Sequence, residues 1–148
     1  DLGQNDLAWW IGNEDMAVDN CLGIEPRYRT QEELEQFQFR LMANRGGAMI
    51  HRYNLEYELA DWEVRLNRIY VQALPFMVDA RRTLLPNGTG VRWDGPKGTL
   101  VWAYRDSTLR MSRRACVERL TGGKPENVSS GGTLHMRKHA VYRLRGPK

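Results

Sequence analysis

Hydrophobic residues recur at helical spacing in the first half of the chain. A capping box, Thr30-Gln31-Glu32-Glu33, opens the first such segment, because the Thr30 hydroxyl and the Glu33 carboxylate each accept the other's backbone N–H. Two glycines at 46 and 47 supply a left-handed stop after it. The apolar positions in between follow one another at intervals of three and four: Leu34, Phe37 and Leu41. This pattern predicts a helix over residues 31–44.

A second stretch, residues 48–74, contains neither Gly nor Pro. Its apolar residues form a continuous helical stripe. They are Leu55, Leu59, Trp62, Leu66, Ile69 and Ala73. Parts of the same stretch also alternate apolar and polar residues, as two strands turning at Ala60-Asp61 would. We favour one helix, because the stripe is longer than a typical strand and Asp61 lies four residues before Arg65. With the first helix it would form a helical hairpin.

Strand signals dominate the second half. Pro75 either bends the second helix or opens a short one over 76–84. Further along, a turn-rich loop is flanked by Val91–Trp93 and Thr99–Tyr104, which predicts a β-hairpin. Residues 108–120 carry Leu109, Cys116 and Leu120 at helical spacing and predict a covering helix closed by two glycines.

The last segment alternates apolar and cationic residues, which predicts one strand with an apolar face and a cationic face. The apolar positions are Leu134, Met136, Ala140, Tyr142 and Leu144, and the basic ones are His135, Arg137, His139, Arg143 and Arg145. The predicted fold class is therefore α+β: a helical hairpin followed by a small antiparallel β-sheet with a covering helix, and an extended N-terminal arm. The arm covers residues 1–29, and residues 30–148 form one compact domain.

Charge divides along the chain more sharply than the net +4 indicates. Residues 1–66 carry 13 acidic and 6 basic side chains, whereas residues 67–148 carry 5 acidic and 16 basic ones. An asymmetry of this size indicates an anionic partner at the basic end. The expected contacts are Arg110, Arg113 and Arg114 on the 108–120 helix, together with the cationic strand face. The alternative is that these arginines pair with the acidic first half of the same chain.

Catalytic and metal signatures are weaker than their structural explanations. His135 and His139 have a spacing that converges only on a helix, and a strand separates them by about 13 Å. Gly122-Gly123-Lys124 lacks the Ser or Thr of a phosphate loop, and no Gly-x-Ser-x-Gly elbow occurs. The two cysteines, Cys21 and Cys116, form no disulfide framework. We therefore expect no catalytic residue, no metal and no cofactor.

These observations favour a non-catalytic structural subunit of a larger multiprotein assembly. It would dock through its basic C-terminal face on acidic surfaces of other subunits, with Trp9 and Trp10 of the arm as anchors. The alternative is an RNA- or DNA-binding protein, such as a ribosomal component, that contacts the phosphate backbone. No apolar run approaches the roughly 18 residues that span a bilayer. The absence of an initiator Met and 18 arginines among 22 basic residues favour an organellar, mitochondrial setting.

Overall fold

A computed structural model describes residues 31–45 and 61–146 of the chain. The chain divides into two compact units, with the boundary between Tyr70 and Val71. Several predicted features lie outside the described residues. They are the arm with Trp9 and Trp10, Thr30 of the capping box, the glycines at 46 and 47, and residues 48–60 of the second helix. The division into a 1–29 arm and a 30–148 domain stays a prediction.

The first unit contains helix α1, Gln31–Ala43, as the capping box and apolar spacing predict. Leu41 of the predicted stripe is buried, and so are Phe39 and Met42. The helix ends in a left-handed turn at Arg45, which has a φ of 67° and donates its backbone N–H to the Met42 carbonyl over 3.0 Å. The Asn44 side chain also donates to the Arg40 carbonyl over 2.7 Å. Two carbonyls at the helix end are thereby satisfied.

Helix α2, Asp61–Met77, extends from the first unit into the second. The prediction of helix is confirmed for residues 61–74, and the two-strand alternative is wrong there. Asp61 and Glu63 in the first turn suit the helix dipole. Pro75 neither ends α2 nor opens a new helix: α2 continues to Met77, so the short helix over 76–84 is wrong, and Arg81–Leu84 is a strand.

The second unit is an antiparallel β-structure of eight strands among the described residues. The strands are Arg81–Leu84 (β1), Gly90–Gly95 (β2), Gly98–Ala103 (β3), Ser107–Arg110 (β4), Ala115–Arg119 (β5), Glu126–Val128 (β6), Thr133–Met136 (β7) and Val141–Arg145 (β8). Six of them form one sheet in the order β1-β2-β3-β8-β5-β6, and β4 pairs with β7 in a two-stranded sheet.

The predicted hairpin is confirmed as β2 and β3, closed by Pro96 and Lys97. Gly98, with a φ of 123°, provides the backbone conformation that completes this turn. Gly90 lies so close to β3 that a Cβ atom there would be 2.1 Å from the Trp102 carbonyl oxygen. The hairpin therefore requires glycine at the start of β2.

The predicted covering helix over 108–120 is wrong. Residues 107–110 form β4, residues 115–119 form β5, and the loop 111–114 joins them. The apolar residues satisfy strand pairing instead: Leu109 is opposite Leu134, and Val117 is opposite Leu144. Pairing with distant strands thus decides the structure here, because only three apolar positions supported the helical spacing.

The predicted single strand over the last segment is also wrong, because a turn at 137–140 divides it. β7 pairs with β4, whereas β8 lies between β3 and β5 in the larger sheet. His139 in this turn has a φ of 59°. The apolar half of the alternation is nevertheless buried as predicted, because both strands contribute to one core cluster between the two sheets. That cluster includes Val101, Val117, Leu134, Met136, Tyr142 and Leu144.

Candidate anionic-partner surface

Five arginines from four segments surround one small concavity of about 40 Å³ in the second unit. Arg92 lies on β2, Arg110 ends β4, Arg113 and Arg114 belong to the loop 111–114, and Arg145 ends β8. We call these five residues the arginine surface. Both sheets contribute to the surface, because the loop 111–114 leaves β4 of the smaller sheet and enters β5 of the larger one.

Arg92 is held by the one carboxylate bonded at this site. Its Nε and a terminal nitrogen donate to the two Asp94 oxygens over 2.7 and 2.8 Å, and the Thr99 hydroxyl donates to Asp94 over 2.6 Å. Partial burial alone would raise the pKa of Asp94. The hydrogen bonds from Arg92 and Thr99 and the charges of Arg92 and Arg113 outweigh it and lower that pKa below its ordinary value.

The other four arginines of the surface are exposed. Arg92 pairs with Asp94 and Arg143 pairs with Glu118, whereas no carboxylate of residues 71–146 pairs with the exposed four arginines. The same range contains 14 basic and 5 acidic side chains. The arginine surface therefore carries a positive charge that the acidic residues of its own unit leave largely uncompensated.

The remaining predicted residues of the cationic face do not join this surface, so a single continuous face is wrong. Arg143 is partly buried, bonded to Glu118, with its Cζ atom 5.3 Å from the centre of the Phe76 ring. His139 is partly buried in the 137–140 turn. His135 and Arg137 line a different and larger cleft. The turn that divides β7 from β8 causes this separation.

Sequence reasoning grouped Arg110, Arg113 and Arg114 correctly but missed Arg92, Asp94 and Thr99. The hairpin register brings these three together, because Asp94 is opposite Thr99 and Arg92 lies two residues earlier on the same face of β2. The aromatic residues near the basic positions are core residues: Trp93, Tyr104 and Tyr142 are each at most 3% exposed. Their rings are therefore not available for stacking on bases.

Other kinds of site find little support in the described part of the chain. No group of three or more His, Cys, Asp or Glu side chains there is arranged to hold a metal ion. Cys116, which the sequence placed in a helix, is a free thiol on β5. Among residues 31–45 and 61–146, no helix has the length and apolar character needed to cross a bilayer.

Comparison with known proteins returns no match: no protein-family model, no curated protein and no solved structure is similar to this chain. The chemistry of the arginine surface itself is therefore the guide to function.

Proposed function

We propose that this chain is a non-catalytic accessory subunit that docks, through the arginine surface, on an anionic macromolecule within a larger assembly. The observation that carries the proposal is that five arginine residues, one of them bonded to a carboxylate, line a single concavity. Such a concentration of like charge is unfavourable in the isolated protein and becomes favourable when an anion lies against it.

Two features favour phosphate backbone as the partner. The guanidinium group is a planar fork that binds phosphate through two parallel hydrogen bonds. A concavity of about 40 Å³ is too small to enclose an ordinary ligand, but it suits a charged group that projects from a larger surface. Because Trp93 and Tyr104 are buried, the contact would be to backbone and largely independent of base sequence.

An acidic protein surface is the second candidate, and the exposed apolar side chains favour it. Val71, Val78 and Leu84 are 67%, 48% and 46% exposed, and all three come from α2, β1 and the segment between them. Exposed apolar side chains that lie in one contiguous patch mark surfaces that a neighbouring subunit covers. The proposed anchors Trp9 and Trp10 would add to such an interface.

The test is fluorescence anisotropy with a labelled 20-base-pair DNA duplex and with labelled polyglutamate. We expect the full chain to bind the duplex, and the R113A/R114A variant to bind it at least about tenfold more weakly, since each lost charge-assisted contact costs 1.5–3 kcal/mol. The K97A/K138A variant is the matched control, because it also removes two positive charges but leaves the arginine surface intact.

Binding of polyglutamate in preference to the duplex, with the same sensitivity to R113A/R114A, would assign the surface to an acidic protein. Equal weakening by the two double variants would mean that net charge alone drives binding, and the arginine surface would lose its proposed role. Absence of binding to either probe at low salt would refute the docking proposal.

A further inference from the structure

A second and larger concavity in the second unit is lined by residues of both sheets. This cleft has a volume of about 580 Å³. Val117 and Tyr142 of the larger sheet contribute to its lining, as do Thr133 and His135 of β7. Its volume lies within the range of small-molecule sites, roughly 300–1,000 Å³. It shares no lining residue with the arginine surface.

Four basic side chains line the cleft: Arg119, Lys124, His135 and Arg137. The Nε of Arg119 donates a hydrogen bond to the Gly122 carbonyl in the adjoining loop. Its guanidinium lies where a side chain at 123 would be, since a Cβ atom on Gly123 would be 2.8 Å from it. A cation held by its own loop loses little conformational freedom when an anion arrives.

The rest of the lining supplies groups that bind hydroxyls. Asn127, Ser129 and Thr133 carry neutral donors and acceptors, and Glu126 is the one carboxylate among the lining residues. The Tyr142 hydroxyl accepts the Arg137 backbone N–H over 2.9 Å, which leaves its own proton for a ligand oxygen. A simple inorganic anion would use the cations but would be repelled by Glu126.

We infer that this cleft binds a sugar phosphate, with the phosphate on Arg119, Lys124 and Arg137 and the sugar hydroxyls on Glu126 and its polar neighbours. The combination of several cations with one carboxylate matches a ligand that has both an anionic group and hydroxyl donors. The mostly polar lining fits a sugar better than a nucleobase, which needs an apolar or aromatic wall. This site is separate from the docking function and does not depend on it.

Isothermal titration of the full chain with ribose 5-phosphate, ribose and inorganic phosphate tests the inference. We expect ribose 5-phosphate to bind at least about tenfold more tightly than either fragment. The K124A/R137A variant should weaken it by about tenfold or more, because two charge-assisted contacts are lost. Lys97→Ala is the control, since Lys97 does not line the cleft. R113A/R114A should leave this binding unchanged, whether or not the arginine surface binds nucleic acid.

Glu126→Gln separates sugar recognition from simple attraction of anions. It should weaken ribose 5-phosphate, because a strong hydroxyl acceptor is lost, and tighten inorganic phosphate, because a negative charge is removed. If Glu126→Gln tightened both ligands, the sugar would not be recognised. Equal affinity for ribose 5-phosphate and phosphate, no binding of ribose 5-phosphate, or no effect of K124A/R137A would each overturn the inference.

A sugar phosphate also occurs at the 5′-phosphorylated end of a nucleic-acid strand. A 5′-phosphorylated hexanucleotide and its 5′-hydroxyl counterpart, each titrated into the R113A/R114A variant, distinguish the two sources. A preference for the phosphorylated strand that K124A/R137A removes would assign the cleft to strand ends. Equal weak binding of the two strands, with tight ribose 5-phosphate binding, would assign it to free sugar phosphates.

Discussion

Replacing Arg113 and Arg114 by alanine should change how the binding of duplex DNA depends on salt. A protein that neutralises phosphates releases counterions, so the logarithm of its affinity falls linearly with the logarithm of salt concentration, with a slope of about −0.9 per phosphate contacted. The arginine surface has four exposed arginines, Arg110, Arg113, Arg114 and Arg145, whereas Arg92 is already bonded to Asp94.

Four contacts give a slope of about −3.6, which is a loss of roughly 150-fold in affinity between 50 and 200 mM salt. The R113A/R114A variant retains two of the contacts, so its slope should be about −1.8 and its loss over the same interval roughly 12-fold. K97A/K138A lowers the net charge equally but removes no contact at the surface. Its slope should stay near −3.6.

Anisotropy titrations of the 20-base-pair duplex at five salt concentrations measure the three slopes. Thermal unfolding of the same proteins adds a second readout, because relief of like-charge crowding should raise the midpoint of R113A/R114A while its binding weakens. A slope near −3.6 for R113A/R114A would refute the assignment of these residues to phosphate contacts. A lower melting temperature would show that they support the fold instead.

Three further predictions concern the framework that holds the surface. Gly90→Ala should destabilise the β-unit by about 3 kcal/mol in urea unfolding, because its Cβ atom would be 2.1 Å from the Trp102 carbonyl oxygen. Leu134→Ala should cost about 3 kcal/mol in the same assay, since Leu134 is fully buried between the sheets. Asp94→Asn should cost at most about 1 kcal/mol at pH 7, because the ion pair with Arg92 is partly exposed. The pKa of Asp94 is lower in the folded state than in the unfolded state. The Asp94 carboxylate therefore contributes to the free energy of unfolding above its unfolded pKa, and this contribution disappears as the pH falls through its folded pKa. Urea midpoints from pH 7 down to pH 2 should therefore converge for wild type and Asp94→Asn; a gap that persists at pH 2 would contradict this.

Local signals in the sequence were sufficient where an element depends on its own residues. The β2–β3 hairpin was predicted because Val91–Trp93 and Thr99–Tyr104 flank a turn-rich loop. Helix α2 was predicted because its apolar stripe extends over several turns, and one proline in the last turn was not enough to end it. For α2, the stripe is longer than the alternative of two short strands can accommodate.

Elements that depend on distant partners were not predictable in this way. In residues 108–120 the apolar positions Leu109, Ala115 and Val117 fit strand pairing, but four- and five-residue strands separated by a loop resemble one helix when read alone. The partners Leu134 and Leu144, which decide the matter, are 25 and 27 residues away in sequence. The turn between β7 and β8 was missed for the same reason, because the apolar alternation continues across it.

The candidate surface illustrates how a wrong prediction of local structure can still group residues that lie together in the fold. Arg110, Arg113 and Arg114 were grouped on a helix face, and a short loop keeps them together equally well. Arg92 was missed because it lies 18 or more residues before the other arginines of the surface, and only the fold brings it to the same concavity. Sequence proximity therefore predicted the part of the site that one loop supplies, and missed the part that strand pairing supplies.

The hydrogen-bonding pattern around Asp94 explains why the arginine surface remains available to a partner. Asp94 uses both of its oxygens on Arg92 and Thr99, and its influence on Arg113 is one of charge without a hydrogen bond. Asp94 therefore orients Arg92 within the sheet. It accepts no hydrogen bond from the four exposed arginines, so their N–H groups can donate to other acceptors. A carboxylate in the loop 111–114, in addition to Asp94 on β2, would stabilise the isolated protein and would compete with an incoming anion. The loop contains none, and this is the arrangement expected of a surface whose acceptors are supplied by a binding partner.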